Sequence, residues 1–258
     1  MHPYLGMGYN RASAWKAMGF TDCLFLKDFQ NADTVRDLVS DHALFDRICC
    51  EIKDTDAPLF CFAVTMQNHA TYNNEVDQNI HVTDWDAGKE LDNYLSLENI
   101  SDKALEDFIE QLKNSEEETY VLFFGDHQPM VSTWYYEKLL RKKKNDFTDE
   151  DKRSMYKIPY FLWNNKDKKC LVPEETSMNY LPQVLLENIG FEDSWFSYTT
   201  IIQEQYPVLS DCYFKTKREW YQTKLKSVLK KVHNNISDPL SLLKQYQVYC
   251  YEIINREK

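Results

Sequence analysis

The sequence predicts an α/β fold with a largely parallel central sheet flanked by helices. Two observations carry this. Three short apolar runs, Pro58–Met66, Tyr120–Phe124 and Ile158–Trp163, are rich in β-branched and aromatic residues and apolar at nearly every position. Such runs read as strands buried on both faces, as in parallel sheets covered by helices. Helical patterns fall between them, which is the alternation of an α/β domain. In such sheets ligands bind beyond the carboxyl ends of the strands.

The first 30 residues read as loop, with Pro3, Gly6, Gly8 and Gly19. Asp33 to Lys53 reads as helix, with a stripe of Val35, Leu38, Val39, Leu44, Phe45 and Ile48. The Pro58–Met66 strand follows and runs into Gln67-Asn68-His69. Residues Asn73 to Asp86 are polar and loop-like. Leu91 to Leu112 carries the stripe of a long amphipathic helix, with a break expected near Ser101. After the Tyr120–Phe124 strand and Pro129, a helix is expected over Thr133 to Lys144. The basic run Arg141–Lys144 and the acidic stretch Asp146–Asp151 together read as a solvated surface loop. Pro159 places the start of the third strand outside the ladder. Ser177 to Gly190 reads as helix with Gly190 as its C′ residue. From Thr216 the pattern is polar and mostly helical.

Composition bounds the rest. A chain of 258 residues fits one large domain or two small ones. The net charge of −11 argues against nucleic acid as a partner. It also means that an anionic substrate needs a local positive site. Seven cysteines, at Cys23, Cys49, Cys50, Cys61, Cys170, Cys212 and Cys250, include no CxxC, so free thiols are expected rather than a disulfide framework. The sequence shows no apolar run of transmembrane length and no signal peptide, so a soluble chain is expected.

Chemistry-bearing residues cluster at three places. Gly125-Asp126-His127 closes one strand. A carboxylate followed by an imidazole is a donor pair suited to Mn²⁺, Zn²⁺ or Mg²⁺. Asn68-His69 closes another. Near the start, His2, Tyr9, Asn10 and Arg11 form a polar set, and Arg suits bidentate recognition of phosphate or sulfate. His42 and His81 stand alone and read as structural.

Thr65-Met-Gln-Asn-His69 followed by Phe124-Gly-Asp-His-Gln-Pro129 resembles the sulfatase-type domain of the lipoteichoic acid synthase family. These are phosphoglycerol transferases of the alkaline phosphatase superfamily. His2-Pro-Tyr4 with Tyr9-Asn-Arg11 and Gly19-Phe20 is similar to that family's preceding segment, and Ser177-Met-Asn-Tyr-Leu181 to its later helix. The resemblance implies Asp126 and His127 as ligands of one divalent metal, Mn²⁺ or Mg²⁺. It implies His69 as the histidine contacting the substrate phosphate and protonating the leaving group. Arg11 and Tyr9 would bind the phosphoglycerol headgroup, Tyr9 standing where the family commonly has Trp. His2 would be a further active-site histidine. Fixed cations and a metal suit a transition state that gathers negative charge.

The family's first strand, with an acidic ligand, and its nucleophilic Thr lie upstream of the segment matching His2. The expectation is therefore the C-terminal part of such a domain over residues 1–210, with a helical tail over 211–258. It would act on phosphatidylglycerol-like cell-envelope substrates and be inactive alone. The family is membrane-anchored with its catalytic domain outside the cytoplasm. Alternatives are a non-catalytic remnant that binds an N-terminal fragment or a second copy of itself, and a sulfatase of sulfate esters. No Cys-x-Pro-x-Arg motif supports the last of these.

Overall fold

A computed structural model describes residues 1–73, 76–77, 79–83, 88–191, 194–210 and 213–222. The chain divides into two compact units. The first comprises Met1–Thr119 and Asp126–Lys157, the second Tyr120–Gly125 and Ile158 onward.

The first unit begins with backbone pairing at residues 1–4. The Met1 nitrogen donates to Phe62 O (2.6 Å), and Met1 O accepts from Val64 N (3.0 Å). This is the one-residue pattern of a parallel pair. On the other side, His2 N donates to Leu24 O (2.9 Å) and Leu26 N to Tyr4 O (3.0 Å). Residues 58–66, expected as a buried strand, form no strand. Among the described residues their strand-like backbone pairing is with Met1, and Leu59, Phe60 and Phe62 stay exposed. A strand needs a ladder as well as an apolar composition.

The opening loop contains helix α1 (Arg11–Ala17), whose Trp15 is buried and stacked on Phe25 (5.5 Å). The helix expected from Asp33 starts later, as α2 (Asp41–Lys53). Residues before it form a hairpin of β1 (Thr34–Val35) and β2 (Leu38–Val39). Arg36 and Asp37 fill its two-residue turn at φ 55° and 63°, the left-handed pair that such turns require. Ser40 then caps α2 by accepting from Ala43 N (3.1 Å).

Helix α3 (Gly88–Lys113) is continuous through Ser101, where a break was expected. It packs on α2, with a Phe45–Phe108 stack at 4.9 Å between them, and Leu44 of α2 and Leu97 and Leu112 of α3 are buried. Helix α4 (Thr133–Leu140) ends before Lys144, because Arg141 turns left-handed at φ 54°. Inside the expected surface loop is a short helix, α5 (Asp149–Ser154). Thr148 Oγ1 accepts from Asp151 N (3.2 Å), and Asp151 Oδ2 accepts from Thr148 N (2.8 Å).

In the second unit β3 (Tyr120–Phe124) pairs with β4 (Tyr160–Asn164), with Leu122 opposite Leu162. Pro159 lies outside the paired residues. Helix α6 (Leu181–Asn188) ends at Gly190, φ 75°. Phe191 N donates to Leu186 O (2.9 Å) and Gly190 N to Glu187 O (3.3 Å), the Schellman closure. Helix α7 (Ser194–Gln205) precedes a meander of β5 (Val208–Leu209), β6 (Tyr213–Lys215) and β7 (Trp220–Gln222). Residues 220–222 were expected to be helical and are strand; the remainder of the expected tail, 223–258, lies outside the described residues.

The expected largely parallel central sheet is not confirmed. Among the described residues every strand pairing is antiparallel, in three small sheets. With one partner, β3 is half-buried along its length rather than enclosed on both faces.

Candidate active site

His2, Tyr9, Arg11, His69, Asp126 and His127 lie in the first unit. Tyr9 and Asn10 hold consecutive left-handed conformations (φ 55° and 56°) just before α1. For Tyr this costs energy that its surroundings must supply, and such residues gather at functional sites. The bend brings the Tyr9 hydroxyl to His69 Nε2 (3.1 Å). The Arg11 guanidinium lies 4.8 Å from the Tyr9 ring centroid, a cation–π arrangement. Arg11 Nη1 also donates to His2 Nε2.

The ring hydrogen bonds fix tautomers. His2 Nδ1–H donates to Val64 O (3.2 Å), which leaves Nε2 to accept from Arg11. His2 is 1% exposed, and burial pushes its pKa down to about 4. It is therefore neutral near pH 7 and holds Arg11 without adding charge. Burial also lowers the Arg11 pKa, while Tyr9 and the carboxylate of Asp126 act in the opposite direction. His69 Nδ1–H donates to Ala70 O (2.9 Å), so Nε2 faces Tyr9 as acceptor. Tyr9, Arg11, His2 and His69 thus form one set, with Asp126 inside the field of Arg11.

Asp126 and His127 are exposed at 73% and 64%, respectively. His127 Nδ1–H donates to Gln128 O (2.8 Å), and its Nε2 stands 3.6 Å from Asp126 Oδ2. A ring whose far nitrogen is anchored on a carbonyl is oriented as metal-ligating histidines are. The pair can supply two donors to a divalent ion. Among the described residues no group of three or more His, Cys, Asp or Glu side chains could hold a metal, so the fit covers two ligands and not a complete set.

Behind His69 lies a polar network that sequence patterning did not show. Gln67 is fully buried. Its Oε1 accepts from Asp41 N (3.0 Å), and its Nε2 donates to Asn68 Oδ1 and Ser101 Oγ (both 3.0 Å). Asn68 Nδ2 donates to Ser101 Oγ (2.9 Å) and Glu98 Oε1 (3.0 Å), and Ser101 Oγ donates to Asp41 Oδ2 (2.6 Å). Helices α2 and α3 therefore anchor residues 67–69 through side chains. Arg36, in the hairpin turn, donates to the carbonyls of Thr71 (2.6 Å), Gln67 (2.7 Å) and His69 (3.0 Å). No Gly or Asn marks the Arg36-Asp37 turn between Val35 and Leu38, so the sequence carries no local signal for Arg36. His42 and His81 lie near carboxylates, at 3.3 Å from Asp46 and 3.1 Å from Asp92.

The sulfatase family model matches residues 1–190. The chain belongs to the sulfatase family. This sulfatase-family chain is 27% identical over 207 residues to a putative cyclic β-1,2-glucan modification protein of Rhizobium meliloti, covering 76% of this chain and 32% of that protein. It is 26% identical over 143 residues to the capsular polysaccharide biosynthesis protein RkpI of the same organism, covering 52% and 24%. The chain thus spans about a third of the first relative's length and a quarter of the second's. Its fold matches the Streptococcus pyogenes phosphoglycerol transferase GacH, solved with sn-glycerol-1-phosphate. The TM-score is 0.66 at 21% identity, over 98% of this chain and 59% of that one. A shorter likeness, TM-score 0.47 at 23% identity over 62% of this chain and 41% of that one, is to the lipoteichoic acid synthase LtaP of Listeria monocytogenes. Among the described residues no helix is long and apolar enough to cross a membrane.

Proposed function

We propose that this chain carries the phosphate-handling part of a metal-dependent phosphoglycerol transferase or phosphodiesterase, acting on a phosphatidylglycerol-like donor with an envelope glycan as acceptor. The observation that carries the reading is the bonded set Tyr9–His69 and Arg11–His2, with Asp126 in the field of Arg11. The names of the relatives, which concern glucan and capsular polysaccharide, support the choice of acceptor, and the glycerol phosphate bound to GacH supports that of the donor.

The chemistry follows from the donors. Arg11, held by neutral His2 and by the Tyr9 ring, presents a fixed cation to a phosphate oxygen. His69 is tied at Nδ1, so Nε2 is the atom that accepts or returns a proton, and the Tyr9 hydroxyl sets its direction. A divalent ion bound with help from Asp126 and His127 would neutralise further phosphate charge. Because those two donors fall short of a complete ligand set among the described residues, binding without turnover is expected of the chain alone. Release of label from a phosphatidylglycerol analogue with Mn²⁺ checks this; steady turnover would contradict it.

The deciding experiment is titration of the chain with sn-glycerol-1-phosphate, followed by the ring signals of its histidines. Saturable shifts at His69 and His2 are expected. Arg11→Ala should weaken binding about 30-fold, because a charge-assisted contact worth roughly 2 kcal/mol is lost. Equal affinity in wild type and Arg11→Ala would sink the reading.

Exposed Phe60 (67%) and Leu59, with Phe60 stacked on Phe20 at 5.9 Å, favour a second reading in which this face binds another polypeptide. Sedimentation at micromolar concentration tests it: a monomer that binds no hydrophobic dye contradicts it.

A further inference from the structure

We propose that Arg36 is a positioning residue for His69: it fixes the 67–71 turn, and so selects the imidazole nitrogen that meets the phosphate. The proposal rests on the reading of His69 as the phosphate-side histidine. Two independent observations support it. The first is the fork. One guanidinium donates from Nη1 to Thr71 O (2.6 Å) and from Nη2 to Gln67 O (2.7 Å) and His69 O (3.0 Å). These three carbonyls lie on alternate residues of one turn, and a planar guanidinium reaches them with its geometry set in advance. A lysine ammonium, a point donor on a flexible stem, does not hold all three in that arrangement. The second observation is the backbone. Arg36 sits at φ 55° in a two-residue hairpin turn, where Gly or Asn is the favoured residue. Placing Arg there has a conformational cost that the hairpin alone does not explain, and the clamp does.

The consequence reaches the site through the backbone. His69 Nδ1–H is held by Ala70 O (2.9 Å), an acceptor inside the clamped turn. While Thr71 O and His69 O are fixed, Ala70 O stays aimed at the ring. Nε2 then remains the unprotonated nitrogen, accepting from the Tyr9 hydroxyl at 3.1 Å. Without the clamp the turn relaxes, the ring loses its fixed acceptor, and both tautomers become populated.

The test compares wild type, Arg36→Lys and Arg11→Ala. The first readout needs no ligand: nitrogen NMR of the imidazoles should show His69 as one Nδ1–H tautomer in wild type and as a mixture in folded Arg36→Lys. The second is affinity for sn-glycerol-1-phosphate, expected to fall about tenfold in Arg36→Lys. A merely structural role would lower the melting temperature and leave the His69 tautomer unchanged, and that result overturns the proposal. If Arg11→Ala binds as wild type does, the functional reading fails, while the tautomer comparison still decides the role of Arg36. If Arg36→Lys does not fold, Arg36→Ala with added guanidinium ion takes its place. Return of the single tautomer with guanidinium supports the clamp, and no response overturns it.

Discussion

Gln67→Leu is expected to destabilise the first unit by about 3 kcal/mol, although Leu is close to Gln in size. The loss comes from partners left behind. Gln67 is fully buried, and its amide satisfies the Asp41 N–H at the start of α2, Asn68 Oδ1 and Ser101 Oγ. Each buried polar group deprived of its partner costs roughly 1–3 kcal/mol. The network is closed through Ser101, which accepts from Asn68 and donates to Asp41, so the losses fall on connected groups. Urea unfolding measures the effect as a lower midpoint at constant slope. Gln111→Leu is the control, because its bond to Asp46 Oδ1 (3.0 Å) is exposed and its removal should stay within about 0.5 kcal/mol. Equal midpoints for the two variants would show that the network contributes nothing.

The network also explains which parts of the molecule were legible in the sequence. The amphipathic stripe of α3 and the Schellman end at Gly190 depend on nearest neighbours along the chain, and both are present. The run 58–66 has strand composition, yet strand formation depends on a partner that composition does not specify. The parallel expectation is not confirmed for the same reason: among the described residues β3 pairs with β4 and lies antiparallel to it. The pattern predicts one helix over Asp33–Lys53 because Val35, Leu38 and Val39 continue the stripe. The left-handed Arg36-Asp37 turn interrupts it without any Gly or Asn to mark the place. Of the proposed site, Asp126, His127, His69, Arg11, Tyr9 and His2 are visible in the sequence as chemical types in motifs. What supports them was not visible. Arg36 works through backbone carbonyls, while Gln67, Ser101 and Asp41 meet across 26 to 60 residues of sequence. No local pattern encodes such separations.

Asp41→Asn is expected to stabilise the protein at pH 7 and to make it acid-sensitive. Asp41 is 4% exposed at the first position of α2, and burial pushes its pKa from 3.8 up to about 6, with the nearby Glu98 charge adding to the effect. The hydrogen bond from Ser101 acts the other way. With its pKa raised, the folded state binds more protons than the unfolded state between about pH 4 and 6. Ionised Asp41 therefore costs stability at neutral pH, and that cost disappears as pH falls through the window. At about 1.4 kcal/mol per pH unit the cost is on the order of 3 kcal/mol. His2 acts with the opposite sign. Its pKa is lowered from 6.5 to about 4, so here the unfolded state binds more protons. Stability from neutral His2 is present above pH 6.5 and lost as pH falls toward 4. The two windows nearly coincide, so in wild type the contributions offset. Removing the Asp41 titration leaves the His2 slope exposed. Asn keeps an acceptor for the Ser101 hydroxyl, so the variant retains that bond. The measurement is the stability difference between Asp41→Asn and wild type at several pH values. It should be largest near pH 7 and shrink toward zero near pH 4. A difference that stays constant with pH would mean that Asp41 does not titrate in this range, and that its carboxylate is ionised within the network throughout.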